Sequence, residues 1–181
     1  ERGGFVSDTS LRQICQWQFM GITLDISVQL SAYQLQQMDF VEGLAELLVA
    51  HPDVSPHNLE LEILETSALS NISKVSATMQ ACIDLGVQFA LDDFGTGYSS
   101  LAYLKRLPAY LIKIDQSFVR DMLENADDLA IVEAVVGLAK TFKREVIAEG
   151  VETFAHGAAL LQLGCELAQG NGIAWPMPAS D

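Results

Sequence analysis

The feature that most constrains this chain is a hydrophobic period that switches repeatedly between strand and helix spacing. Thr23–Ser31 alternates without a break: Thr23, Asp25, Ser27, Gln29 and Ser31 share one face, and Leu24, Ile26, Val28 and Leu30 the other. That period of two is a strand. Leu59–Ile63 alternates again, with Glu60 and Glu62 on one face, and Val87–Leu91, Leu111–Asp115, Glu145–Ala148 and Glu166–Ala168 add four more strands. Helix-period positions fill the intervals at 40–48, 71–85, 99–106 and 127–142, and from Thr153 to a stop at Gly164. A further helix over 8–20, behind the capping-type Asp8-Thr9-Ser10, precedes the first strand.

Strands that alternate with helices in this way imply an α/β fold with a parallel sheet. Right-handed crossovers leave a doubly wound open sheet or a barrel. Polar residues favour the barrel, because Glu62, Asp92, Lys113, Glu149 and Gln169 each stand near the C-terminal end of a different strand. An open sheet would gather its site at one switch point. A TIM-like (β/α) barrel has eight strands and about 250 residues. Residues 1–181 supply six strands, so the expectation is one domain whose first strands precede Glu1. The opening Glu1-Arg2-Gly3-Gly4, unlike an initiation sequence, agrees with a piece of a longer protein.

Composition narrows the partners. At 50% hydrophobic, 181 residues can bury one sizeable core. The formal net charge of -14 argues against polymeric nucleic acid, while a small anionic ligand is compatible with metal ions that reverse the field locally. No apolar run reaches membrane-spanning length. Cys15, Cys82 and Cys165 are odd in number and far apart, which points to reduced core thiols and a cytoplasmic setting. His51, His57 and His156 lack ligand spacing and read as surface residues.

The chemistry centres on Phe89–Leu104, where an apolar strand runs into Asp92-Asp93 and then a glycine turn. Neighbouring strand residues point to opposite faces, so the pair converges only if the extended chain breaks, and Gly95 and Gly97 are assigned that break. A solvated acidic pair at a helix start is the alternative. Glu62, Asp92, Asp93 and Glu149 offer oxygen donors alone, which suit Mg²⁺ or Mn²⁺ better than zinc. Taken singly, Glu62 also reads as an exposed strand residue, Glu149 as a helix-terminal acid and Glu152 as a first-turn charge. Lys113 can hold a nucleophilic water or neutralise a phosphate oxygen, or else pair with Asp115. Gln169 can orient a substrate or cap a turn. The set suits two-metal phosphodiester hydrolysis, and an enolising barrel uses similar parts.

Asp92-Asp93-Phe94-Gly95-Thr96-Gly97-Tyr98-Ser99-Ser100-Leu101, Lys113-Ile114-Asp115, Ala148-Glu149-Gly150-Val151-Glu152-Thr153 and Gln169-Gly170 occur in this order. The combination resembles the EAL-domain phosphodiesterases of bacterial cyclic di-GMP signalling, from about Gly4 to Pro178. The resemblance implies cleavage of one phosphodiester bond of cyclic di-GMP, giving linear pGpG, with two Mg²⁺ or Mn²⁺ ions in a TIM-like barrel. It implies Glu62, Asp92 and Asp93 as metal ligands, Glu149 near the second metal, and Lys113 and Gln169 at the nucleophilic water. Glu65 matches the glutamate that holds the loop after Asp93, and Glu152 an acid on the ligand side. Phe94, Gly95, Thr96 and Gly97 match the loop that links metal occupancy to dimerisation. A homodimer and upstream sensor or GGDEF-type domains are the partners this family implies, besides cyclic di-GMP.

Three departures stand against that pattern. The Glu-Ala-Leu segment and the strand before it are not in these 181 residues. Gln29 stands where an asparagine ligand is usual, and its extra methylene displaces the donor oxygen. Asn171 and Trp175 replace an aromatic residue and an arginine. The expectation is therefore a phosphodiesterase domain of reduced activity, with a non-catalytic EAL domain acting as a cyclic di-GMP receptor or protein-interaction module as the alternative.

Overall fold

The computed structural model describes residues 2–68, 71–96 and 101–179. The chain forms two compact units, Glu1–Ala90 with Ser100–Pro108, and Leu91–Ser99 with Ala109–Asp181. Six strands follow one another in the sheet in sequence order, with no reversal of the kind a doubly wound sheet requires. The pairs β1–β2, β4–β5 and β5–β6 are parallel.

The first unit contains α1 (Arg2–Phe19), β1 (Ile26–Leu30), α2 (Ala32–Leu35), α3 (Phe40–Ala50), β2 (Leu59–Leu64), α4 (Glu65–Ala68), α5 (Ile72–Asp84), the start of β3 (Gln88–Phe94) and α6 (Leu101–Arg106). Leu59, Leu61 and Ile63 are fully buried on one face of β2, and Glu60 and Glu62 are buried on the other. Burial of both faces is what a parallel strand covered by its own crossovers shows.

Two boundaries differ from the sequence expectation for stated reasons. Asp8, Thr9 and Ser10 lie inside α1 and do not open it; Asp8 Oδ2 accepts from Arg12 Nε at 2.8 Å and its Oδ1 lies 2.9 Å from His51 Nε2. β1 starts at Ile26, opposite Leu59. Continued backwards, that register would set Thr23–Asp25 against Pro56–Asn58, a 3₁₀ turn that has left the extended conformation. Asn58 Nδ2 instead donates to the Asp25 carboxylate at 2.7 Å.

The second unit contains the end of β3, then β4 (Leu111–Ile114), α7 (Gln116–Asp121), α8 (Ala126–Thr141), β5 (Glu145–Ala148), α9 (Phe154–Leu163) and β6 (Leu167–Ala168). Ile112, Ile114, Val119, Val132, Ala139, Ala148 and Leu160 form its core. Thr153 caps α9 and Gly164, at φ 88°, ends it, as the sequence leads one to expect. Among the described residues, no helix is long and apolar enough to cross a membrane.

Candidate functional site

Asp92 and Asp93 lie within β3, which runs three residues further than its apolar stretch. The break that lets their side chains converge begins at Asp93 itself, whose φ is 52°, and continues at Gly95, φ 104°. Aspartate is one of the few residues that tolerates this left-handed region. The glycines thus extend a break that Asp93 starts. Thr96 Oγ1 donates to the Asp93 carbonyl at 2.9 Å and closes the turn. Phe94 is buried, while Gly97 lies outside the described residues.

Lys113 rises from β4 opposite Ile147 of β5, and Glu149 lies two residues beyond Ile147, so alternation returns Glu149 to the Lys113 face. Its Nζ donates to Glu149 Oε1 at 2.7 Å and stands 3.3 Å from Asp92 Oδ1. Asp115, the alternative partner that alternation suggests, turns to cap α7, where its Oδ1 accepts from the Ser117 N–H at 2.9 Å and from the Ser117 hydroxyl. Asp115 also lies close enough to Asp93 to accept from its carboxyl when that group is protonated. Sequence reasoning left Asp115 out of the site; its position two residues beyond Lys113 on the same strand face was the available signal.

One oxygen each from Asp92, Asp93 and Glu149 lies within 4.8 Å of the others. Burial, then the charges of Asp92 and Asp115, the hydrogen bond to Asp115 and the charge of Glu149 push the Asp93 carboxyl up to about 6. Lys113 supplies one positive charge among several carboxylates. The remaining negative charge and the oxygen-only donor set fit a hard divalent cation.

In the first unit, Gln29 and Glu62 are register partners on β1 and β2 and therefore share a face. One step lower, Ser27 Oγ donates to the buried Glu60 Oε1 at 2.6 Å across the partner pair Ser27 and Glu60. Glu62 and Glu65 are buried, and Gln29 is exposed. Glu65 opens α4 directly after β2.

Glu152 and Gln169 are exposed in the second unit. The Gln169 backbone nevertheless borders the Glu149 segment: its N–H donates to Ala148 O at 2.8 Å and its carbonyl accepts from Val151 N–H at 3.0 Å. The three histidines do not share the surface. His57 is exposed, His51 is partly buried beside Asp8, and His156 is buried. His156 left the surface because α9 starts at Phe154 and turns that position inward.

The family model named EAL domain matches residues 3–176. The chain belongs to the EAL domain family. Over 178 residues it is 40% identical to the bifunctional diguanylate cyclase/cyclic di-GMP phosphodiesterase MucR of Pseudomonas aeruginosa, a match covering 98% of this chain and 26% of MucR. The EAL domain described here thus spans about a quarter of that relative's length. A solved structure of the MucR phosphodiesterase in complex with c-di-GMP superposes with a TM-score of 0.93 at 40% identity, covering 98% of this chain and 72% of that one. The EAL domain of Mycobacterium smegmatis DcpA gives 0.92 at 37% identity, covering 99% and 81%. The fold is accordingly the TIM-like α/β fold of EAL domains, and the Asp92, Asp93 and Glu149 cluster is where it can bind a metal.

Proposed function

We propose that this EAL domain hydrolyses one phosphodiester bond of cyclic di-GMP to give linear pGpG. The observation that carries the reading is the cluster of Asp92, Asp93 and Glu149, with the Lys113 ammonium paired to Asp92 and Glu149, in a chain that belongs to the EAL domain family. The enolising alternative has no comparable support.

Glu62, Asp92, Asp93 and Glu149 are the residues that would hold two Mg²⁺ or Mn²⁺ ions, with Gln29 a weaker donor. The ions would supply charge neutralisation at the phosphate and a more acidic water. Lys113 is held by Glu149 and Asp92 so that its ammonium faces the acidic cluster. There it orients the attacking water and offsets charge that develops on a phosphate oxygen. Gln169 orients the ligand, Glu65 steadies the segment after Asp93, and Glu152 acts on the ligand side. Phe94, Gly95, Thr96 and Gly97 carry occupancy to a homodimer interface.

Gln29 reduces turnover in this reading. It faces the same way as Glu62, so a donor at this place belongs beside that glutamate, and the added methylene shifts it. The reaction is cytoplasmic, consistent with three free cysteines. Cyclase-like or sensor domains elsewhere in the protein would set its input.

The test is to incubate the protein with cyclic di-GMP and Mn²⁺ and to follow pGpG. Product that disappears in Asp92→Asn supports the reading. Binding of cyclic di-GMP without product, unchanged by Gln29→Asn, would show a receptor in place of an enzyme.

A further inference from the structure

His156 is a buried side chain, 6% exposed, that the chemistry above leaves unused. Its Nε2 lies 3.1 Å from the Arg120 carbonyl and its Nδ1 2.8 Å from the Thr153 hydroxyl. A carbonyl only accepts, so Nε2 carries the proton. In the neutral ring Nδ1 then accepts from the Thr153 hydroxyl, whose oxygen accepts in turn from the His156 N–H at 3.4 Å as the cap of α9. Arg120 belongs to the last turn of α7, where carbonyls lack helical partners.

α7 is also the surface against which both site segments rest. A Cβ on Gly150, the neighbour of Glu149, would stand 2.6 Å from Gln116 Cβ; one on Gly95, two residues after Asp93, would stand 3.0 Å from the Phe118 ring. Both glycines have positive φ, at 72° and 104°. Asp115 caps the same helix. One short helix therefore meets the backbone beside Glu149 and the backbone after Asp93. The His156 bridge ties that helix to the far end of the Glu149–Thr153 segment.

We infer that His156 is a positioning residue: by joining Thr153 to the Arg120 carbonyl, it fixes the Glu149–Thr153 segment on α7 and so sets where Glu149 stands relative to Asp93 and Lys113. It touches no reacting atom. A buried histidine bonded at both nitrogens also stabilises a fold wherever it sits, so the test must separate placement from stability.

His156→Leu fills the space without either bond, whereas His156→Gln keeps an amide donor and an acceptor. Hydrogen exchange at the amides of Glu149 and Val151 is compared with exchange in the interior of β4, and Mn²⁺ affinity is measured by calorimetry. His156→Leu is expected to speed exchange at Glu149 and Val151 about tenfold more than in β4, and to weaken Mn²⁺ binding about tenfold, the usual effect of losing a residue that orients a ligand. His156→Gln restores both. If His156→Leu does not fold, Thr153→Ala removes the Nδ1 partner and is expected to give the same local pattern. Exchange that rises evenly through the unit, or local loosening with Mn²⁺ affinity unchanged, overturns the inference. The Mn²⁺ measurement rests on the metal reading of the acidic cluster. Absence of Mn²⁺ binding by the unaltered protein would sink that reading, and the exchange comparison alone then decides the role of His156.

Discussion

Lys113 on β4 and Glu149, the residue that follows β5, form a largely buried ion pair of 2.7 Å, and the same ammonium stands 3.3 Å from Asp92. Removing one partner of such a pair leaves the others charged with no counterion. Lys113→Met is therefore expected to cost about 3–5 kcal/mol of stability in EDTA. Mn²⁺ should restore part of it, since the ion replaces the missing positive charge. Thermal unfolding of both proteins in EDTA and in Mn²⁺ checks this, and equal midpoints in EDTA would contradict it.

Asp93 gives the site a pH dependence with a definite sign. Its carboxyl is pushed up to about 6 from 3.8, so between these values the folded chain holds a proton that the unfolded chain has lost. Stability of the metal-free protein should then fall as pH rises through that window. Mn²⁺ must displace the same proton, so its apparent affinity should climb by roughly tenfold per unit below that pKa and level off above it. Denaturant melts across about pH 3.5–7 and Mn²⁺ titrations across about pH 4.5–7.5 test the two trends. Asp93→Asn should flatten the stability trend.

Gln29 shares a face with Glu62 by strand register, so shortening it moves an amide oxygen along a direction the strand already sets. Gln29→Asn is expected to raise Mn²⁺ affinity or pGpG formation by about tenfold, the low end of what better ligand placement yields. A loss of either would mean that the glutamine is the better donor here.

Gly170 marks a close backbone approach. A Cβ there would collide with the nitrogen, carbonyl carbon and oxygen of Val151, atoms that cannot rotate away. Gly170→Ala should destabilise by about 1–3 kcal/mol or more. Gly157→Ala is the control: on α9, where an added Cβ meets nothing within 4 Å, it should be neutral or stabilising. Chemical denaturation of the pair provides the comparison.

Elements with complete local signals were legible. β5 matches its expected bounds, Glu145–Ala148, and α9 runs between the expected Thr153 cap and Gly164 stop. α7 has no legible helical period, because six residues are too few to show one, and its Asp115 cap is the one local signal that marks it. Residues 32–35, just past the alternating stretch, are too few to show a period, and the capping box between Ser31 and Gln34 is the local signal that marks α2. β1 is shorter than its alternation, because alternation shows which residues can form a strand, whereas pairing needs a partner, and Pro56–Asn58 turns away.

The sequence by itself determined the order of strands and helices, the shared face of Glu60 and Glu62, and the oxygen-only character of the donors. Those follow from side-chain period and residue chemistry, which are local. Only the tertiary structure decided that Asp93 itself breaks its strand, that Lys113 pairs with Glu149 and Asp92 while Asp115 caps a helix, and that His156 is buried. Each of these depends on which groups from distant segments meet and how much water they lose. No local period encodes those quantities.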